Sequence, residues 1–413
     1  MRELNAFQRL FKVFSAAPHR MMFFGGAVQL VLTLILWSIE LVGRHSALWN
    51  EPDFVIPATS VHIYLMLYGI FPFFTFGFLM TTYPKWMNGR TVPGGSYIPT
   101  FSLMTLGAFL FYVGIFFGKG FIVAALIVHI LAWVKGFFAL FSIYKSAFVD
   151  SRYHPFHLNV TLICGTAGEL FFLIFILSEY SFFYRAALHT GFWLYLMPLL
   201  FIVSHRMLPL FSSGVIRAYV QHRPNWSLPA LWVGLAGHAL LELADLKSLL
   251  FIFDIPLLFV GLYHTWLWQI LKSLKARLLA VLHISLLWFS LGMSLYIIQS
   301  IWLLARGELI LGRGPLHALA IGFLTSMVVA MGTRVSLGHS GRDLNMGLFS
   351  WLCFLGVQLT AFIRICAELE MHRGFFPINL NVAAALSWLL FLIPWAFRYG
   401  SIYLRPRIDG QPG

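Results

Sequence analysis

The sequence predicts an all-α, polytopic membrane protein, and three observations support that class. Of the 413 residues, 60% are hydrophobic and only 10% are charged, and the mean hydropathy is +0.82. Soluble domains carry about 25% charged residues, so this composition excludes an ordinary soluble protein. Apolar runs of about twenty residues, the length that crosses a bilayer as a helix, recur along the chain. The three cysteines lie in apolar segments without metal-ligand spacing, and we expect them to be core residues.

The apolar runs number twelve, and no connection between them is long enough for a soluble domain. We therefore predict one integral membrane domain over residues 1–413. The first run has no small-residue cleavage site, so we expect it to remain as a span rather than a signal peptide. The predicted segments are 22–42, 57–82, 97–117, 121–144, 158–178, 186–208, 228–246, 249–272, 277–303, 315–335, 346–367 and 378–399.

The basic residues predict the orientation of these segments. Of the 28 Lys and Arg residues, 19 fall on the side of the termini, 8 on the opposite side and one, Lys135, inside the fourth segment. Cytoplasmic connections carry the excess of Lys and Arg, so both termini are expected in the cytoplasm. The net charge of +13 therefore indicates topology, and nucleic acid is not expected as a partner.

The tenth segment carries a histidine at each end. From His317 to Arg334 is 17 residues (334 − 317), or roughly 25 Å of helix, and His339 follows just beyond. Small and hydroxylated residues between them, such as Gly322 and Ser326, allow a neighbouring helix or a flat cofactor to approach the backbone. We expect this helix to be buried among the others.

Histidines inside a bilayer are costly and are therefore functional candidates. We expect the histidines at three depths. The outer tier is His62, His189 and His317, and the inner tier, at the cytoplasmic ends, is His205, His283 and His339. The group at intermediate depth is His129, His238 and His264. A haem needs one or two neutral imidazoles from facing helices, and copper takes two or three. His62 and His317 are the leading axial-ligand candidates, and His189 with His238 would hold copper. Alternatively, each histidine near a helix end bonds a carbonyl or a lipid headgroup.

Charged residues near these histidines have two interpretations each. Arg334, together with His339 and Arg342, either binds an anion or the carboxylates of a haem, or anchors the helix at the membrane face. Arg364 either pairs with Glu368 and Glu370 or holds such carboxylates on the outer side.

Two further charges lie within predicted spans. Glu169 and Lys135 form either a proton path or a salt bridge, and the sequence does not choose between them. Signatures of soluble enzymes, such as a phosphate-binding loop or a nucleophile elbow, are absent from the sequence.

The run from His317 to Arg342, HALAIGFLTSMVVAMGTRVSLGHSGR, resembles the NnrS family of bacterial membrane proteins associated with nitric oxide metabolism and nitrosative stress. Supporting similarities are Leu282–Trp288 and the second segment, from His62 to Trp86. The resemblance implies an inner-membrane protein with haem of the b type, with copper as a further candidate, and a role in handling or surviving nitric oxide.

The second segment departs from the family pattern. The family usually reads His-x-His-Glu-Met, whereas this chain reads His62-Ile63-Tyr64-Leu65-Met66. If the second histidine is a ligand in the family, then either the site differs here or Tyr64 takes its place as a phenolate or hydrogen-bonding group. His205 also stands where a glycine is usual before Arg206, so we expect a divergent member.

A looser, fold-level likeness points the same way. Haem-copper oxidases and their nitric-oxide-reducing relatives carry haem-ligating histidines near the outer ends of the second and tenth of twelve spans, although fold does not establish function. If the chain is an enzyme, the expected reaction is nitric oxide reduction, with electrons from a donor that the sequence does not identify. The alternatives are a non-catalytic haem sensor or haem-handling protein, and a cofactor-free transporter.

Overall fold

The fold is known from a computed structural model, which describes residues 5–370 and 379–411. Those residues form helices and no strand. Ten of the helices are long and apolar enough to cross a membrane, judged by length and composition. The prediction of an all-α polytopic membrane protein is thus confirmed.

The long helices match the predicted segments closely, and two shorter apolar helices occupy the positions of the seventh and eighth. The start of the last predicted segment, residue 378, lies outside the described residues, so the count of twelve spans stays a prediction. In chain order the helices are α1 (Pro18–His45), α2 (Ala58–Trp86), α3 (Gly94–Phe117), α4 (Lys119–Ser146), α5 (Tyr153–Ser178), α6 (Ser181–Ser213), α7 (Ser227–Leu243), α8 (Phe251–Leu267), α9 (Arg277–Arg306), α10 (Gly314–His339), α11 (Leu348–Glu370) and α12 (Leu380–Tyr403).

Short elements complete the chain. A helix before α1, Ala6–Phe14, is capped by Asn5, whose side chain accepts from the backbone of Gln8. A 3-10 turn, Lys247–Leu249, joins α7 to α8, and a one-turn helix, Ile270–Ser273, follows α8. Between α3 and α4 the only break is Gly118, whose φ of 147° disfavours any residue with a Cβ atom.

The twelve helices pack as three groups of four. One group is α3 to α6, a second is α7 to α10, and the third joins the two ends of the chain as α11, α12, α1 and α2. Within each group consecutive helices pack side by side. The fold therefore repeats a four-helix unit three times, and α2, α6 and α10 are the last helices of their groups.

These three last helices form the centre of the bundle. In their most apolar windows 89%, 78% and 83% of the residues are buried, against 33–67% for the other seven long helices. A hydrogen bond ties two of them together: the Tyr68 hydroxyl of α2 donates to the carbonyl of Ala187 in α6 over 2.7 Å. Gly168 and Gly191 make room for that hydroxyl, which a Cβ atom at either position would strike.

The two ends of the bundle are named here by the chain termini. Arg20, at the start of α1, donates to the carbonyl of Tyr403 at the end of α12 over 2.9 Å, so the chain begins and finishes at one end, the terminal face. The opposite end, where α2, α6 and α10 begin, is the distal face. The prediction that the terminal face is cytoplasmic remains a prediction.

Candidate functional site at the distal ends of the central helices

Each central helix contains a stretch of π-helix within three residues after a histidine. His62 precedes Leu65–Ile70, His189 precedes Thr190–Leu196, and His317 precedes Ala318–Thr325. The three histidines are 127 and 128 residues apart (189 − 62 and 317 − 189), so they occupy equivalent places in the threefold repeat. Because π-helical turns are rare and cluster at functional sites, this pattern marks the distal ends of α2, α6 and α10.

Two prolines mark the end of these wide turns. Pro72 and Pro198 each occupy the second position of the regular helix that follows the π segment in α2 and α6. A proline is tolerated there because the hydrogen-bond ladder is already interrupted. From the sequence alone these prolines form no obvious pair, but the repeat makes them equivalent.

His62 and His317 both lie at the distal face, near the starts of α2 and α10. They lie close enough for their charges to interact, and both lie near Arg364 and Arg313. The His62 ring stacks on Trp37 of α1 with centroids 4.0 Å apart, and its buried Nδ1 has no hydrogen-bond partner.

His317 has a defined orientation. Its Nδ1 lies 2.9 Å from the carbonyl oxygen of Arg313, one turn earlier. A carbonyl can only accept, so Nδ1 carries the hydrogen and the lone pair of Nε2 stays available. A histidine that ligates a metal is commonly held in this way through its other ring nitrogen.

Arg364 borders this histidine pair from α11. One of its terminal nitrogens pairs with Glu368 over 2.7 Å, while Nη1 is buried without a partner. The ion pair with Glu368 therefore leaves one guanidinium nitrogen for a further acceptor. The side chain of Glu370 and Arg373 lie outside the described residues.

A second cluster forms around His189 and His238. These residues lie close enough to interact electrostatically, and the buried Nδ1 of His189 has no partner. Nδ1 of His238 donates to Oδ1 of Asp254 over 2.6 Å, and its Nε2 lies 3.9 Å from Glu242. Trp193 and Tyr296 cover the His238 ring, with centroids 3.7 Å and 4.8 Å away.

Tyr64 does not join His62. Two residues along a helix are separated by roughly 200°, so the side chain turns away into the group of α3 to α6. There it stacks on Phe111 at 4.2 Å between ring centroids and lies 6.4 Å from His129. This position does not support a role for Tyr64 as a phenolate or hydrogen-bonding group beside His62.

Glu169 pairs with His129 rather than with Lys135. Its Oε1 lies 2.5 Å from Nδ1 of His129, and both side chains are fully buried. Lys135 is exposed on the outer surface of α4. Of the two interpretations of Glu169 and Lys135, the salt bridge between them is therefore wrong.

The inner-tier histidines have partners of their own at the terminal face. His205 uses both ring nitrogens, with His154 at 2.9 Å and Ser227 at 3.0 Å, so it offers no free lone pair. The ring of His339 lies 4.6 Å from that of His19. His283 lies 3.4 Å from the Ser212 hydroxyl and leaves Nδ1 unpartnered.

Within residues 5–370 and 379–411, no group of three or more His, Cys, Asp or Glu residues has the geometry to hold a metal ion. A family model described as NnrS protein matches residues 13–407, nearly the whole chain. The chain belongs to the NnrS family. This membership links the protein to the response to nitric oxide. No curated protein matches the sequence.

Several contacts in this NnrS family member escape sequence reasoning. Asp254, Arg313 and Trp37 lie on other helices or in connections and carry no motif, yet each contacts a candidate histidine. The sequence does contain one signal of the repeat. His62, His189 and His317 are each separated by about one third of the chain, which places all three in equivalent spans. From the sequence, only His62 and His317 of the three are expected to act together.

Proposed function

We propose that this NnrS family member is a haem protein of the bacterial inner membrane, acting in the nitric oxide response, with His62 and His317 as axial ligands. One observation carries the proposal: the two imidazoles lie at the same end of α2 and α10, near enough to interact electrostatically, and the Arg313 carbonyl oxygen accepts a hydrogen bond from Nδ1 of His317. The excess of Lys and Arg at the terminal face supports a cytoplasmic location for that face.

The residues at the distal face fit a haem. An axial ligand must be a neutral imidazole with a free lone pair, and His317 offers one on Nε2. The buried, unpartnered Nδ1 of His62 is a polar atom that the protein leaves unsatisfied. The unpartnered Nη1 of Arg364 would bind a haem carboxylate, since guanidinium–carboxylate bonds are charge-assisted.

The chain's own residues would orient and shield such a group. Haem supplies an iron that binds nitric oxide and exchanges electrons. Trp37 covers one face of the His62 ring, and Arg313 fixes the tautomer of His317. Glu368 holds the Arg364 guanidinium in place.

A copper centre has weaker support. His189 and His238 offer two imidazoles, and Asp254 orients His238 as a carboxylate that bonds a metal-bound histidine does. The third candidate, Glu242, lies 3.9 Å from the same nitrogen of His238 that would bind the metal. This set of donors is incomplete for copper.

The pairing of His62 with His317 also bears on catalysis. If both histidines hold the haem, the arrangement favours sensing of nitric oxide or handling of haem over reduction of nitric oxide at the same centre. Nitric oxide is small and apolar and partitions into the bilayer, so a site between apolar helices is accessible to it in either case.

The optical and EPR spectra of the purified protein, oxidised and reduced, test the proposal together with metal analysis. We expect haem bands in the wild type that are lost, or change spin state, in His62→Ala and His317→Ala. His222→Ala is the matched control, because His222 is exposed in a connection at the terminal face. A colourless, metal-free wild type purified without loss would overturn the haem assignment and favour a transporter.

A further inference from the structure

The short helix before α1, Ala6–Phe14, is amphipathic, and we call it the leading helix. At 100° per residue its apolar side chains fall within an arc of about 100°. This apolar stripe consists of Phe7, Leu10, Phe11 and Phe14. The polar side chains lie on the other side, and they are Gln8, Arg9 and Lys12. The helix thus combines an apolar side with a side that carries two basic residues and no acidic one.

The C-terminal end of the leading helix is fixed to the bundle at the terminal face. The ring of Phe14 packs edge-on against Phe24 of α1 and Phe101 of α3, with ring centroids 5.5 Å and 5.8 Å away. The Tyr97 hydroxyl of α3 donates to the Ser15 carbonyl over 2.6 Å. Because Phe14 belongs to the apolar stripe, the rest of the stripe faces the same side of the helix as these contacts.

Beyond Phe14 the apolar stripe is exposed. Phe7 is 74% exposed, Leu10 47% and Phe11 46%, and none of the residues of the helix is fully buried. A helix of nine residues is too short to be stable by itself in water, and the capping box of Asn5 stabilises only its first turn. An apolar surface outside the chain is therefore needed to cover the stripe.

The depth of Phe14 places the leading helix at the level of the membrane surface. Its contacts Phe24 and Phe101 lie six and seven residues after the starts of α1 and α3 (24 − 18 and 101 − 94), or roughly 10 Å along each helix. With 28 residues, α1 is roughly 42 Å long and exceeds a hydrocarbon core of about 30 Å by roughly 6 Å at each end. Phe14 therefore lies near the boundary between headgroups and acyl chains, where amphipathic helices lie in the plane of a membrane.

The polar side of the leading helix has the charge that acidic lipids attract. Lys12 is exposed, and none of the ion pairs among the described residues involves it. The terminal side also holds most of the Lys and Arg residues of the chain. A second copy of the chain packed there would meet like charge, whereas an acidic bilayer complements it.

We propose that the leading helix lies in the plane of the membrane at the terminal face and binds acidic phospholipids, with the apolar stripe among the acyl chains and Arg9 and Lys12 at the headgroup phosphates. Each basic residue near an acidic surface strengthens binding by about a factor of five, whereas the apolar stripe binds lipid of any charge. The candidate haem ligands lie at the opposite face, so this interaction does not depend on them.

Hydrogen exchange of the full chain in lipid nanodiscs tests this interaction. The amides of the leading helix are followed in discs of phosphatidylcholine and in discs of an equal mixture of phosphatidylcholine and phosphatidylglycerol. We expect the acidic lipid to raise their protection about tenfold or more at low salt, and this gain to disappear in about 1 M salt. Equal protection in both discs would overturn the binding of acidic lipid. Protection that follows the number of chains per disc instead of the lipid would overturn the proposal in favour of a second copy.

A first pair of variants tests the charges. Arg9→Gln/Lys12→Gln should lose the gain from phosphatidylglycerol and keep the protection seen in phosphatidylcholine. Lys272→Gln/Lys275→Gln is the matched control, because it removes two exposed lysines elsewhere at the terminal face, and it should keep the gain. An unchanged gain in Arg9→Gln/Lys12→Gln, or an equal loss in the control, would overturn the role of the two charges.

A further variant tests the apolar stripe. Phe7→Ser/Phe11→Ser should lower the protection of the leading helix about tenfold or more in both kinds of disc, because it removes two exposed rings from the stripe. Ser and Phe have similar helix propensities, so the change acts on the contact with lipid rather than on the helix itself. Protection of α3 in the same samples shows that the bundle is intact. Unchanged protection of the leading helix would overturn the insertion of the stripe.

Discussion

Four histidines of the central and neighbouring helices fall into two kinds that differ in their neighbours. His129 and His238 each face a fully buried carboxylate, Glu169 at 2.5 Å and Asp254 at 2.6 Å. His62 and His317 face no carboxylate at that distance; their charged neighbours are the arginines 313 and 364. The same side chain thus occupies two electrostatic settings within one bundle.

This difference indicates what each kind of histidine does. A carboxylate accepts a hydrogen bond from the imidazole and fixes its orientation, so the first kind is suited to a structural role. A histidine without a carboxylate partner is suited to ligating a metal, since the ring binds a metal in its neutral form. The comparison therefore predicts that the two kinds respond differently to substitution.

The largest effect is expected from breaking a carboxylate pair. Glu169→Ala should lower the free energy of unfolding by about 3–5 kcal/mol, because it leaves His129 buried without a partner. Reversible unfolding in mixed detergent micelles measures this value. The double variant His129→Leu/Glu169→Leu serves as the control and should lose less than the single one. An equal or larger loss in the double variant would mean that the two residues are not coupled.

A smaller effect is expected where the carboxylate only loses its charge. Asp254→Asn keeps a similar shape but removes the charge beside His238, and it should cost about 1–3 kcal/mol in the same unfolding assay. His238→Leu in the Asp254→Asn background should then cost little more. If the second substitution costs as much as the first, the two side chains stabilise the fold separately.

The histidines beside arginines should matter little for stability. His317→Ala breaks one bond, to the Arg313 carbonyl, and leaves no buried carboxylate unpaired, so we expect a loss of less than about 1.5 kcal/mol. The same variant should abolish or alter the haem spectrum. A stability loss as large as that of Glu169→Ala would place His317 with the structural histidines instead.

The smallest effect is expected from an ion pair that is exposed to solvent, in contrast to the buried pairs above. Arg407 binds Asp409 and lowers the pKa of that carboxyl to about 2, below its ordinary value of about 3.9. A carboxyl with a depressed pKa stabilises the folded state above its ordinary pKa, and this contribution is lost as the pH falls from about 4 towards 2. The chain end docks there, since the Ile408 amide donates to the Ser340 carbonyl over 3.2 Å.

Hydrogen exchange at the Ile408 amide reports this docking. Protection relative to Asp409→Asn should be greatest above about pH 4 and should vanish as the pH approaches 2. Equal protection in both proteins at pH 6 would show that the pair does not hold the chain end. The amide of Leu274, in another connection, is an internal reference.

The sequence predicted the helices well because apolar length is a direct property of composition. Even α7 and α8, separated by a tight turn around Lys247, lie where the seventh and eighth segments were expected. That His62 and His317 lie at the same face was also predictable, since both open spans that run in the same direction.

The partners of the charged groups were less accessible to sequence reasoning. Lys135 and His129 are six residues apart, so they lie on different faces of α4, and only the neighbouring α5 decides which of them meets Glu169. Asp254 pairs with His238 across a turn that carries no motif. Tyr64 lies on another face of α2 than His62, as two residues along a helix require, so the alternative in which it takes the place of a second histidine gains no support.

The π segments have a consequence for the direction in which the central side chains point. A π turn adds one residue to a helical turn, and one residue corresponds to a rotation of roughly 100°. Deleting a single residue from Thr190–Leu196 or Ala318–Thr325 would restore a regular helix but would swing His189 or His317 by that angle relative to Arg206 or Arg334 further along. Each π segment thus changes the angle between the histidine at one end of the helix and the arginine at the other. The single inserted residue sets the direction of the histidine side chain without changing that of the arginine.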